Sequence, residues 1–237
     1  MSTNMSRTKH TLGALLAVLL GFAMFLPMGA FAADVIAYIG EVGGKVLVVK
    51  PVSGDEKTAQ EAAAKTGMFL SAGDTIKTGD ESYASVVFQD DGSRVKLGAV
   101  STLTINAVRK QKQLDKSLFM ESGKMWAKVT KKRGTEFQVK TPTSVASVKG
   151  TRFILEETES GETWVWVLED AVQLSNESGE VTVNAGQKGK ATKDTLDVQE
   201  IEDMDLPIEP GPHEIIFFFK RSDGSSLQKE LHIEFEK

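Results

Sequence analysis

The chain contains no cysteine. Disulfides, thiolate zinc sites and thiol nucleophiles are thereby excluded, and burial alone must hold the fold together. Histidine is nearly absent as well: His10, His213 and His232 are the three in 237 residues. None of them stands in triad or metal-ligand spacing to a Ser or a carboxylate. Carboxylates are plentiful, 33 in all, and a glycosidase needs only a pair flanking a sugar, yet no pair is set apart here. Asp90-Asp91-Gly92-Ser93 resembles a calcium loop only at first glance. An EF-hand spreads its oxygen ligands over about twelve positions and ends in Glu, so these four residues read as a turn. The expectation is a chain that is no enzyme and carries no cofactor and no metal.

Long apolar runs are missing too, with one exception at the start. Arg7 and Lys9 precede an apolar stretch from Leu12 to Leu26, Pro27 and Gly29 follow, and Ala30-Phe31-Ala32 places small residues at the cleavage-reading positions. This is the pattern of a secretory signal over residues 1–32, with cleavage before Ala33 and a periplasmic or secreted product. The apolar core is short of the roughly twenty residues that span a bilayer. An uncleaved anchor is the alternative, and only then would the membrane be a partner.

The net charge of −5 hides a strong asymmetry. Residues 33–93 carry 5 basic and 10 acidic side chains, residues 94–152 carry 14 and 3, and residues 153–237 carry 7 and 20. A basic middle is thus flanked by acidic ends.

What fills the chain is short alternating apolar and β-branched runs, cut by Gly, Asn and Asp. Examples are Val42–Val49, Tyr83–Phe88, Leu118–Met120, Met125–Val129, Phe137–Val139, Phe153–Glu156, Thr163–Leu168, Val172–Leu174 and Val181–Val183. Roughly ten such strands with turns between them predict an all-β fold, not βαβ units. The expected form is curved, stacked antiparallel strands in a solenoid-like or sandwich arrangement. The Ala-rich stretch Glu56–Lys65 suggests one short surface helix. The main β domain is expected over 33–196 and an acidic, proline-bearing linker over 197–212. A C-terminal β-hairpin follows at 213–237, turning at Ser222-Asp223-Gly224-Ser225. Its first strand, Ile215 to Phe219, is apolar on both faces, and a lone hairpin is not stable in water. It must dock on the domain or on a partner.

The turn-bearing pieces also form an ordered string. It runs Leu70, Gly73-Asp74, Ile76, Thr78-Gly79, then Ser82, Ala84 and Phe88, then Asp91-Gly92-Ser93, Val95 and Leu97. Thr102, Thr104-Ile105, Gly123, Phe137, Val139, Thr141-Pro142, Val148, Gly150-Thr151, Phe153 and Ala185-Gly186-Gln187 complete it. This series resembles the FecR domain, the periplasmic iron-dicitrate regulator type, over about residues 36–190. The residues themselves read as fold determinants. Glycines take positive φ where the chain reverses, Asp74 and Asp91 bond downstream amides of their turns, and Thr141-Pro142 ends a strand. Gly150 allows a close backbone approach and Phe153 fills the core. Glu169-Asp170-Ala171 departs from the pattern, since similar proteins tend to carry glycine there. FecR regulators place a cytoplasmic sigma-factor-binding segment and a membrane helix ahead of this domain. Eleven residues before the apolar run leave no room for that segment, and the receptor-contacting C-terminal module is not recognisable in 197–237. The resemblance therefore implies an envelope protein used for contact and signalling, without the transmembrane relay.

Three surfaces are candidates for that contact. Arg109, Lys110, Lys112 and Lys116 form one basic cluster, and Lys131, Lys132 and Arg133 another. Outside the inner membrane their partner would be an envelope protein or an anionic envelope polymer, with nucleic acid excluded. The competing reading pairs them internally with the acidic stretch that follows. Phe217, Phe218 and Phe219 are the second candidate, as an apolar interface. Trp164 and Trp166, two apart on a strand, share one face, and an exposed pair would suit a glycan; a buried pair would be core.

Overall fold

The computed structural model describes residues 34–51, 59–110, 113–202, 206–209, 215–220 and 226–231; for Lys110 and the last two segments it describes the backbone alone. The signal segment expected over 1–32 lies outside the described residues. Among these residues every regular element is a strand and none is a helix.

In chain order the strands are β1 (Val35–Gly43), β2 (Val46–Pro51), β3 (Ala59–Ala63), β4 (Phe69–Ser71), β5 (Thr75–Thr78), β6 (Tyr83–Phe88) and β7 (Arg94–Leu97). Next come β8 (Thr102–Lys110), β9 (Gln113–Lys128), β10 (Phe137–Lys140), β11 (Val145–Val148), β12 (Arg152–Glu157) and β13 (Thr163–Glu169). The series ends with β14 (Ala171–Asn176), β15 (Gly179–Asn184), β16 (Gln187–Ala191), β17 (Leu196–Glu200), β18 (Ile215–Lys220) and β19 (Ser226–Leu231). The first seventeen form one mixed sheet that does not close into a barrel.

The sheet doubles back at β9. The first half of this strand pairs with β8 and, in parallel, with β10; its second half pairs with β7 and β12. Gly123 divides the halves at φ +95°, a conformation that a side chain would strain. A Cβ there would also come 2.6 Å from the Cα of Ser101. One half-sheet runs β4–β1–β6–β7–β9–β12–β13–β16–β17. The opposite half runs β3–β2–β5–β8–β9–β10–β11–β14–β15.

Between the halves lies a single core. The period-two alternation sends Leu97, Met125, Leu155 and Val165 inward from one half, and Leu103, Leu118, Val139 and Leu174 inward from the other. Each such side chain contributes on the order of 1.5–3 kcal/mol by leaving water. The layers approach closely at Gly189 of β16, where a Cβ would stand 2.6 Å from Val183 Cγ2. Gly150 meets Lys131 as closely as its place in the series predicted, and Phe153 is fully buried. Asp170 takes φ +59°, so the turn that lacks glycine keeps a left-handed residue, which Asp tolerates better than most.

Three details differ from the sequence reading. The Ala-rich stretch is not a helix where described: Ala59–Ala63 is β3, paired to β2 and exposed along its length. A helical preference of a few tenths of a kcal/mol per residue yields here to the unpaired amides and carbonyls of β2. The stretch expected as linker opens with β17, whose Leu196 and Val198 pack against the core while Asp197 and Glu200 stay exposed. Asp197 thus belongs to the outer face of an edge strand, and Glu200 to its exposed end. The C-terminal hairpin is present, but its second strand is Ser226–Leu231, starting opposite Lys220, and not the alternating run Leu231–Phe235 that the sequence suggests. Residues 232–237, with His232, lie outside the described residues.

Candidate functional site

The candidate cations do not form one patch. Lys116 is 2% exposed, because alternation along β9 turns it inward beside Leu114 and Leu118. Its ammonium lies 2.7 Å from Asp91 Oδ2 and 3.0 Å from Asp90 Oδ2. Asp90 Oδ1 is also 2.9 Å away, at an angle that makes no hydrogen bond. The Phe88 ring lies beneath the ammonium at 5.3 Å. A partner cannot reach Lys116; its role is to neutralise the 90–91 turn folded over the end of the core. Asp91 also accepts from the Ser93 amide at 2.9 Å, as a turn-forming Asp should. Asp74 differs: it accepts from the upstream Ser71 amide and from Lys50.

Arg109 forks onto Asp34 with Nε–Oδ2 at 2.7 Å and Nη2–Oδ1 at 3.0 Å. The hydrogen bond, more than the charge itself, lowers the Asp34 pKa and raises that of Arg109. Both groups are solvent-exposed, so the pair adds little to stability. The Lys110 side chain and all of Lys112 lie outside the described residues.

The second cluster is partly free. Lys132 leans on Asp90, with Nζ 3.6 Å from Oδ2. Lys131 and Arg133 are exposed, and neither forms an ion pair among the described residues. The fold adds cations that sequence spacing did not connect to them. Arg94 pairs in register with Lys128, and Lys128 with Arg152, so three strands present a basic row beside the same turns. Lys149 and Lys131 line one open cleft of about 610 Å³, together with Glu136, Gln138, Asp170 and Gln173. The signal for this grouping was Gly150, whose close approach to Lys131 brings the 149–151 and 129–134 turns together. Internal neutralisation is partial and comes from both acidic ends. Lys124 pairs with Glu156 and Arg152 with Glu169, while Arg109, Lys116 and Lys132 turn to Asp34, Asp90 and Asp91.

Trp164 and Trp166 stack at 6.1 Å and 24° on the outer face of β13. Trp166 is 7% exposed and Trp164 half-buried, with Lys190 over the Trp164 ring at 5.0 Å and Lys188 at 6.0 Å. An arriving sugar would meet one half-covered ring, not an open pair.

The remaining polar concentration is internal. Glu157 is buried and accepts from Thr163 Oγ1 at 2.6 Å; Thr163 is linked to Thr141 at 2.8 Å, and Thr141 to Ser144 at 3.1 Å. Desolvation raises the Glu157 pKa, and hydrogen bonds from Thr163 and Thr141 oppose this. The network ties the Thr141-Pro142 turn to β12 and β13. No nucleophile-base pair arises from it, and no group of three possible metal ligands occurs among the described residues. Phe217, Phe218 and Phe219 belong to β18, and their side chains lie outside the description.

A family model described as FecR protein matches residues 74–173. No curated protein matches the chain. Among solved structures, two crystal structures of a candidate anti-sigma factor from Parabacteroides distasonis, at 1.65 and 2.50 Å, are similar at 16% identity. Each is aligned over 53% of this chain and 59% of the other, with TM-scores of 0.46 and 0.47. The chain thus spans less than two thirds of the length of those structures. The FecR resemblance carried by the ordered turns therefore stands over residues 74–173, which build β5 through the first half of β14.

Proposed function

We propose that this chain is a non-enzymatic regulatory module of the cell envelope that acts by contact with an acidic protein surface. Residues 1–32 direct its export, and the β domain works in the periplasm. The observation that carries the reading is the basic rim at one end of the domain. Lys128, Lys131, Arg133 and Lys149 stand exposed there without ion-pair partners among the described residues, while Lys116 and Lys132 are drawn into the fold. Fixed unpaired cations of one sign steer an anionic partner and set its orientation, and their effect fades with salt. The FecR match over 74–173 supports a signalling role.

Charge reversal tests this. Lys131→Glu, Arg133→Glu and Lys149→Glu together should abolish most crosslinked capture from intact envelopes at low salt. Lys193→Glu, an exposed control, should leave capture intact. Equal capture by both variants would refute the rim. Mass spectrometry of the exported protein should find Ala33 at the N-terminus; Met1 would instead favour an anchored sensor.

A further inference from the structure

The outer face of the half-sheet that carries β9, β12, β13 and β16 holds buried apolar groups that do not belong to the core. Ile154 is 3% exposed and Trp166 is 7% exposed, yet neither joins the central cluster. Register places Trp126, Ile154, Trp166 and Lys188 in one row across these strands. All three tryptophans of the chain therefore lie on this face, Trp164 being two residues from Trp166. The indole N–H of Trp166 is buried with no acceptor, so the ring is already withdrawn from water.

Part of a cover is already present. Trp126 Nε1 donates to the Pro207 carbonyl at 3.3 Å, and Glu209 lies 3.6 Å from the Lys96 ammonium. Residues 206–209 thus cross this face at β7 and β9. Six residues later β18 begins, a reach of up to about 20 Å. From β9 to β16 is three strand spacings, about 14 Å. The hairpin that follows needs a cover of its own. Its pairing places Ile215, Phe217, Phe219, Leu227 and Leu231 at positions of one face, with Lys229 as the sixth. A two-stranded hairpin with such a face is not stable alone.

We infer that the C-terminal hairpin β18–β19 docks, in the same molecule, over the tryptophan face of the β12–β13–β16 region and closes it to solvent. The hairpin is then a built-in lid over the aromatic row and not an arm free for a partner.

Because the chain lacks cysteine, a paired substitution reports without background. Lys190→Cys with Phe217→Cys, treated with a short bismaleimide, should give a crosslinked monomer at all protein concentrations. Only dimers, or no crosslink, would overturn the inference; dimers would assign the lid to a second copy. Phe217→Asp with Phe219→Asp should red-shift tryptophan emission and raise acrylamide quenching, with the far-UV spectrum retained. Unchanged emission and quenching would also overturn it.

Discussion

At the scale of single residues, the basic cluster separates into structural and available cations according to strand phase. Lys116 lies in phase with Leu114 and Leu118, so it goes inside and takes Asp90 and Asp91 with it. Lys116→Met should destabilise the chain by about 3–5 kcal/mol, because two buried carboxylates lose their counter-charge. Adding Asp90→Asn and Asp91→Asn should restore much of that loss in urea melts, since the side-chain oxygen at position 91 can still accept from the Ser93 N–H. Glu157 behaves in the opposite sense. Burial raises its folded pKa above the ordinary 4.5. Such a group contributes stability that is fully present below the unfolded value and lost as pH rises through the folded one. Stability should therefore decline from about pH 4.5 upward until the folded carboxyl ionises. Glu157→Gln should flatten that decline and be the more stable chain at neutral pH, read from urea midpoints across pH.

At the scale of elements, β9 decides the architecture. Sixteen residues with glycine at position 123 serve both half-sheets, and the left-handed glycine lets the strand turn from one to the other. Gly123→Val should cost more than 2 kcal/mol, through backbone strain at positive φ and collision with Ser101. Gly123→Ala keeps the strain with a smaller side chain and should cost less; equal stability to the parent in thermal melts would show that the strand can bend elsewhere. Short strands such as Tyr83–Phe88 and Thr163–Leu168 were legible because alternation and flanking turns coincide there. The stretch β3 was not, because an exposed edge strand has no apolar face to imprint a period on Ala59–Ala63. For the same reason β17 looked like linker: three of its five side chains face water.

At the scale of the whole molecule, two half-sheets share one uninterrupted core cluster. Such a domain should unfold cooperatively. Urea transitions followed by far-UV circular dichroism and by exchange of core amides should coincide; separate midpoints would show two independent halves. The same packing gathers Arg94, Lys128, Lys131 and Lys149 at one end although they span 56 positions of sequence. Contact at this rim should weaken steeply between low and physiological salt, as exposed charges are screened within about 8–10 Å. A flat salt response in capture experiments would point to an apolar contact instead.

The all-β class, the ordered turns and the exclusion of disulfides followed from composition and period alone, because alternation and glycine placement act locally. Which cations are buried, which strands pair, and which turns meet depended on strand order and on which face each residue took. Those are long-range choices. A lysine in a strand reads the same in a linear chain whether it points at water or at two aspartates twenty-five residues away.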